Sequence, residues 1–512
     1  MHAVNYALAL LSGGLLAASF PKYGHPAFAW TALAPLWVAL VRHALHPDRA
    51  GRQRAFVLGW LTGIVHFGFT VSWIVEVMHL HGGLGLPMAW AIMLLLASYL
   101  ALYPALCAVL TARAVRHFGV PGLWLAPACW VATEWMRGWV GGGFPWALLG
   151  TSQARVTPVI QLASVTGVFG VSALVALVSV AAAVTALSTR TRQRWASAGV
   201  FALVALVTAL GAWRVAGASL VTQGPVLKVG LVQGNVEQDQ KWNPLYRQEI
   251  LDRYLRLSRQ VITVGARLVV WPEASTPFFF EAESSYADPI RELARSTRTP
   301  LVIGTDQFER DAAGDRIYNS AVMVGEDGSS RGTYRKMQLV PFGEYVPLKG
   351  LLFFVGTLVE KVSDFTPGTE PVLLEAGGVR TGVAICYEVV YPWITREFTA
   401  RGAELLTTIT NDAWFGQSSA PYQHFEQASV RAVEQGRYLI RAANTGISGV
   451  VDPYGRTVQA SPLFVEAALT ADVRLIQSRT IYSYLGDVVA WLCAAAAAGV
   501  ALIGRRAWGE KK

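Results

Sequence analysis

Apolar residues follow two different rhythms along the 512-residue chain. Long runs with little polar interruption occupy residues 4–20, 27–41, 56–74, 86–112, 123–136, 159–187 and 196–215, and an eighth occupies 488–503. Crossing the hydrocarbon core of a bilayer takes ~20 predominantly apolar residues in a helix. The runs therefore predict a polytopic α-helical membrane protein with about eight transmembrane helices, of which the second, fifth and eighth are short. Between the seventh and eighth runs the period changes. VLKVGLVQGNV from Val226 alternates like a strand, PLYRQEILDRYLRLSRQVI places apolar residues at helical spacing, and RLVVWPEAS reads as a short buried strand. A strand near 301–304 follows, then a hairpin, NSAVMVGEDGSSRGTYRKMQ, turning at Asp327-Gly328, and a strand VRTGVAICYE. After these come a helix near 393–400, a strand ELLTTIT, a helix over 424–435, a strand YLIRAANTG, and a DPYG turn before the last strands. Alternating strands and helices predict an inserted α/β domain. The chain divides into 1–217 with seven membrane helices, 218–480 as the α/β domain, and 481–512 as the last helix and tail.

Charge sharpens this division. Only 15% of residues are charged, against 53% hydrophobic, where a soluble protein carries about 25% charged residues. Residues 218–480 hold 26 basic and 29 acidic side chains, a net of −3, and the remainder holds 17 and 5, a net of +12. The formal +9 thus belongs to loops flanking the apolar runs and is no footprint of nucleic-acid binding, which needs a basic stripe on a folded domain. Basic residues stay in cytoplasmic loops. With the N-terminus inside, inner segments hold Arg42, Arg49, Arg52, Arg54, Arg113, Arg116, Arg190, Arg192, Arg194, Arg505, Arg506, Lys511 and Lys512, and outer ones hold Lys22, Arg137, Arg155 and Arg214. Seven helices then deliver the α/β domain to the outer face. The first helix lacks a basic leader and an A-x-A site, so it reads as a retained anchor.

Of four cysteines, Cys107, Cys129 and Cys493 fall in the apolar runs, leaving Cys386 alone in the α/β domain, where it has no internal disulfide partner. Three segments place a polar residue beside a strand end: WPEAS around Glu273, YRKMQLVPFGEYVP around Lys336 and GVAICYEVVYP around Cys386. Strand ends of α/β sheets line the crevice where ligands bind. A carboxylate, an ammonium and a thiol gathered there make a nucleophile set, with Glu273 as general base and Lys336 favouring the thiolate and the oxyanion formed on acyl attack. Singly, each residue has an ordinary explanation: a small core residue, a helix cap, a solvated hairpin lysine. The coincidence of all three favours chemistry.

WPE, K-x-x-L-V-P-F-G-E-Y and G-x-x-I-C-Y-E together resemble the nitrilase superfamily. With the seven-plus-one helices, TVSWI at 70–74, RGWVGGGFPW at 137–146 and NDAWFG at 411–416, the chain is similar to the apolipoprotein N-acyltransferase family of the bacterial inner membrane. The resemblance implies a four-layer α-β-β-α sandwich for the inserted domain, a Glu273/Lys336/Cys386 triad, and Glu344 as a second carboxylate supporting the lysine. It implies that Trp242, Asn319, Tyr387, Glu388 and Trp414 line the site or an adjacent loop. The residues alone leave other roles open: interfacial anchoring for Trp242 and Trp414, a turn for Asn319, an arginine partner for Glu388. The implied reaction moves an acyl chain from the sn-1 position of a phospholipid, phosphatidylethanolamine, through a Cys386 thioester to the N-terminal amine of a diacylglyceryl-cysteine apolipoprotein, the last step of lipoprotein maturation. No cofactor is expected, and the protein is expected to act as a monomer.

Two further readings compete. One is a membrane-tethered amidase with water as acceptor, which needs a polar mouth; the apolar run Gly350-Leu351-Leu352-Phe353-Phe354-Val355 favours lipid instead. Whether Leu351 to Val355 form a lid or a buried helix stays open. The other is a transporter with a degenerate accessory domain, disfavoured by scarce intramembrane charge. Glu76, His79 and His81 lack further ligands at metal spacing, and no metal is expected. Gly141-Gly142-Gly143 follows no strand and is read as shaping an outer loop, while Arg431, Glu434, Arg437 and Arg441 read as a salt-bridged helix face packed near the site.

Overall fold

The computed structural model describes residues 2–44, 51–311, 314–341, 343–345 and 364–503. The run 351–355 and the basic tail beyond 503 lie outside the described residues. The chain separates into two compact units: Met1–Glu76, Gly85–Gly217 and Leu485–Lys512 form one, and Val77–Leu84 with Ala218–Tyr484 the other.

In the first unit, four described helices are long and apolar enough to cross a membrane: Pro26–Ala44, Leu86–Phe118, Ala163–Leu187 and Thr191–Thr222. Arg52–Thr70 and Trp73–His81 make a fifth span if their 53° bend is counted as one, and Ala3–Ala17 and Val488–Leu502 are shorter apolar helices. The 123–136 run does not form one helix. It divides into a 3-10 segment, Val120–Leu125, and an eleven-residue α-helix, Ala126–Met136. Within the latter, buried Glu134 accepts the backbone N–H of Leu149 at 2.6 Å, which binds a polar side chain into an otherwise apolar segment. The three glycines at 141–143 form a tight turn with φ of +66°, +91° and +80°, and a Cβ on Gly141 would lie 2.6 Å from the Tyr99 hydroxyl.

The second unit contains two six-stranded sheets among the described residues. The first is built from β1 (Val226–Gln233), β2 (Leu268–Val270), β3 (Leu301–Asp311), β4 (Gly314–Val324), β5 (Ser330–Arg335) and β12 (Ala467–Arg474), in the order β12-β1-β2-β3-β4-β5. The second uses β6 (Leu374–Ala376), β7 (Val379–Ile385), β8 (Leu405–Thr410), β9 (Leu439–Ala443), β10 (Gly449–Val451) and β11 (Thr457–Ala460), in the order β11-β10-β9-β8-β7-β6. In each sheet three central strands run parallel, β1-β2-β3 and β7-β8-β9, and the outer pairs are antiparallel. Central strand β8 is buried at every position, as a strand covered on both faces must be. Contacts of β1 with β9 and of β4 with β6 and β7 join the sheets.

Helix Arg247–Thr263 buries Ile250, Leu251, Tyr254, Leu255, Ser258 and Val261, the i, i+3, i+4 stripe its sequence predicts, against the first sheet. Trp271 closes this core: it is fully buried, stacks on Tyr254 at 4.9 Å, and its indole N–H donates to Ser258 Oγ at 2.8 Å. The segment leading to Glu273 is thereby anchored from below. The expected face of Arg431, Glu434, Arg437 and Arg441 is not one face. The helix Ala420–Gln435 holds only the Arg431–Glu434 pair (2.9 Å), whereas Arg437 donates to the carbonyls of Ala403, Gln477 and Ser478, and Arg441 belongs to β9. Gly436, in the left-handed region at φ +62°, ends the helix and turns the chain before either arginine.

Candidate active site

Lys336 and Cys386 follow directly on β5 and β7, and Glu273 stands just past β2, after Trp271 and Pro272. The Glu273 carboxylate is buried and has three donors. Oε1 accepts Lys336 Nζ at 3.2 Å and Asn319 Nδ2 at 2.7 Å, and Oε2 accepts the backbone N–H of Asn411 at 2.8 Å. Lys336 Nζ, 1% exposed, donates also to Glu344 Oε1 at 2.8 Å. Asn319, a β4 residue rather than a turn, donates to Glu344 at 2.7 Å as well, while Glu344 Oε2 accepts Val340 N–H at 2.8 Å. Two carboxylates thus share one ammonium and one amide, so the lysine tip has a single position.

Cys386 opens a 3-10 turn, Cys386–Val390, at the end of β7 with φ +52°. A residue with a Cβ rarely occupies this region, and here it turns the chain sharply off the sheet. Glu388 pins the turn. It is fully buried, its Oε2 accepts Ile385 N–H (2.8 Å), and its Oε1 accepts the Tyr334 hydroxyl (2.7 Å) and the N–H groups of Met337 (2.7 Å) and Gln338 (3.2 Å). It ties the cysteine turn to the lysine segment and pairs with no arginine among the described residues. Tyr387 is buried edge-on against Tyr391, ring centroids 5.3 Å apart. Trp242 and Trp414 remain 45% and 39% exposed, and Trp414 meets the His81 ring edge-on at 5.0 Å. Neither indole enters the hydrogen-bonded group around Lys336.

Protonation follows from this packing. Burial raises the Glu273 pKa, but Lys336, Asn319, Lys241 and the Asn411 N–H outweigh it and hold the carboxyl below its ordinary 4.5. Burial disfavours the Lys336 ammonium, and Glu273 and Glu344 more than restore it, so its pKa is raised. Burial and the nearby Glu273 charge push the Cys386 thiol up, with Lys336 opposing. At rest the base is ionised, the lysine charged and the thiol protonated. That is the state from which a proton can pass from sulfur to carboxylate as a nucleophile forms.

Two residues of this site carry no motif. Buried Lys241 donates to the Glu273 carbonyl at 3.1 Å, and burial lowers its pKa to about 8 against the pull of Glu273 and Asp306. Burial raises the neighbouring Asp306 to about 7, with Lys241 opposing. In the sequence, Lys241 closes the polar stretch VEQDQK and reads as solvated, and Asp306 lies past the predicted end of its strand. Neither stands out in the linear pattern: the run 301–306 is buried at every position and shows no alternation that would single out Asp306.

The arrangement has relatives. Residues 12–181 match the family model described as the apolipoprotein N-acyltransferase N-terminal domain, and 228–481 match the carbon-nitrogen hydrolase model. An apolipoprotein N-acyltransferase of Geobacter metallireducens is 40% identical over 98% of this chain and 95% of its own length. One from Methylococcus capsulatus is 36% identical over 98% and 96%. Among solved structures, a nitrilase-superfamily amidase from Nesterenkonia AN1 is similar at 24% identity and TM-score 0.38, over 50% of this chain and 93% of that one.

Proposed function

Since the chain belongs to the apolipoprotein N-acyltransferase family, we propose that it moves an acyl chain from the sn-1 position of a phospholipid, phosphatidylethanolamine, to the α-amine of a diacylglyceryl-cysteine lipoprotein. The observation that carries the reaction is the thiol of Cys386 on a strained turn, electrostatically coupled to an ionised Glu273 and a charged Lys336. Glu273 takes the thiol proton as sulfur attacks the ester carbonyl. Lys336 stabilises the resulting oxyanion. The C–O bond then breaks, Glu273 returns the proton to the leaving alkoxide, and a lysophospholipid departs from the thioester. In the second half, the lipoprotein amine attacks the thioester, Glu273 takes its proton, and the thiolate leaves to recover that proton. Glu344 and Asn319 position the lysine and the base, and Glu388 and Tyr387 support the cysteine turn. Trp242 and Trp414 would contact substrate from their exposed positions.

The same reading makes the second unit a four-layer α-β-β-α sandwich comprising 218–480, exported across the inner membrane by seven helices, with an eighth returning the tail to the cytoplasm. The enzyme would act as a monomer on two lipid-anchored substrates that meet it laterally.

The test uses purified protein and labelled phospholipid without acceptor. A hydroxylamine-sensitive acyl-protein should form, be absent from Cys386→Ala, and discharge its label onto an added diacylglyceryl peptide amine. Cys386→Ser should fail overall, because an oxygen ester is a poorer acyl donor to an amine. Label leaving as free fatty acid despite the amine would make the protein a hydrolase.

A further inference from the structure

The Cys386 turn is held on its leaving side by groups that the reaction does not consume. A left-handed conformation at a residue with a Cβ persists only where the surroundings impose it. On the entering side, Glu388 accepts Ile385 N–H. On the leaving side, the Cys386 carbonyl oxygen lies 3.1 Å from Nε2 of His424, a fully buried residue of the Ala420–Gln435 helix.

What fixes the ring is visible at its other nitrogen. His424 Nδ1 is 3.0 Å from Arg441 Nη2, and that same nitrogen donates to Asp412 Oδ2 at 2.7 Å. A carbonyl oxygen only accepts, so the ring proton stands on Nε2 and is directed at it, and Nδ1 of the neutral ring accepts from the guanidinium. Asp412 is itself oriented: its Oδ1 accepts the Thr410 hydroxyl at 2.8 Å and stands 3.1 Å from Nδ1. Arg441 is set by Nε donating to Ile447 O at 3.2 Å. All three side chains are at most 1% exposed. Burial and Arg441 lower the imidazole pKa, with Asp412 pulling the other way, which keeps the ring neutral. Burial raises the Asp412 pKa, and the Arg441 guanidinium, aided by the Thr410 hydroxyl, overcomes it, so the aspartate stays ionised. Taking such charges out of water is costly, and apolar side chains would fill the volume as well; what apolar side chains lack is a donor aimed at one oxygen.

We propose that His424 is a positioning residue for the nucleophile: its Nε2–H, oriented by the Arg441–Asp412 pair, locks the Cys386 carbonyl and with it the left-handed turn that presents the sulfur. The proposal rests on Cys386 being the nucleophile. It is tested on full-length protein in detergent micelles. His424→Gln places an amide nitrogen near the imidazole Nε2, whereas the shorter amide of His424→Asn ends near Nδ1 and leaves the carbonyl without a donor. At saturating phospholipid, Gln should form acyl-enzyme within about tenfold of the wild-type rate and Asn should lose ~10²-fold, the usual cost of a reacting atom displaced by about 1 Å. The half-saturating phospholipid concentration should be the same in both. Equal rates for Gln and Asn would overturn the proposal. Nitrogen NMR of histidine-labelled wild-type protein, with His424 assigned by subtraction of a Gln variant whose other histidine signals are unmoved, reads the ring in the wild-type protein itself. A neutral ring protonated on Nε2 at pH 7 is expected, and an imidazolium or an Nδ1-protonated ring overturns the lock. The expected tautomer in a wild-type protein that forms no acyl-enzyme would sustain the lock and remove the acyl-transfer reading.

Discussion

Asn319 is the smallest part of the site with the largest predicted reach. Its one amide nitrogen serves Oε1 of both Glu273 and Glu344 at 2.7 Å, and replacing it by Leu keeps the volume while leaving those two buried oxygens to Lys336, among the described residues, as their one donor. Loss of a buried donor of this kind costs ~1–3 kcal/mol. It also removes one of the influences that hold Glu273 below 4.5. In the wild type, that depressed pKa contributes stability above about pH 4.5, lost as pH falls through the lower folded value. Asn319→Leu should shrink this contribution and move the acid limb of acylation to higher pH. A pH–rate profile with an unmoved acid limb would remove Asn319 from control of the base. At this scale the motifs make Glu273, Lys336, Glu344 and Cys386 legible, because each sits in a short string tied to a strand end. Lys241, Asp306 and the Asp412–His424–Arg441 group were not, because their importance lies in partners 12 to 65 residues away and a linear pattern carries no such proximity.

Between elements, the approach of β3 to the Glu273 loop sets where the base stands. A Cβ built on Gly304 would lie 2.2 Å from Pro272 O and 2.6 Å from Glu273 Cα, both backbone atoms with no rotamer to yield, and Ser275 N–H donates to Gly304 O at 2.9 Å. Gly304→Ala must push the loop away from the strand. We expect ~1–3 kcal/mol of destabilisation with a fall in acylation beyond what lost folded protein explains, measured by a melting curve and by rate per folded enzyme. Full activity per folded molecule would mean that the loop tolerates the shift. The elements themselves were unevenly legible. Strong alternation exposed β1 and β7, yet β3 extends seven residues past its predicted end at 304, because the polar half is held by pairing with β4 from Leu301↔Val324 to Asp311↔Gly314 rather than by burial. Helix Ser284–Thr297 escaped the sequence pattern: its buried Ala287, Ile290, Leu293 and Ala294 keep helical spacing, but Pro289 and the charges around them obscure it.

At the scale of the whole molecule, the side of the membrane proposed for the catalytic unit depends on the parity of the helices before it, and among the proposed spans the one at 120–136 holds an α-helix of only eleven residues. Eleven α-helical residues alone rise roughly 16 Å, too short for a hydrocarbon core of ~30 Å. The preceding six residues are 3-10, however, which rises ~2.0 Å per residue; laid end to end the two pieces reach roughly 28 Å. Trp135 packs on Trp491 of the Val488–Leu502 helix, centroids 4.4 Å apart, which gives the short segment a neighbour. If it crosses, Arg113 and Arg116 share a side with Arg190, Arg192 and Arg194; if it does not, these clusters face opposite sides, against the tendency of basic loops to stay inside. We therefore expect a reporter fused after Lys512 to be cytoplasmic and one inserted between 311 and 314 to be exported, each read with a fusion active on only one side. Finding both on the same side would mean that an even number of crossings lies between the insertion and the tail, so that Val488–Leu502 does not span. Finding the two exchanged would mean instead an even number of crossings ahead of the α/β domain, as when the 120–136 segment turns back within the bilayer, and would place Cys386 in the cytoplasm, away from the lipoproteins it is proposed to acylate.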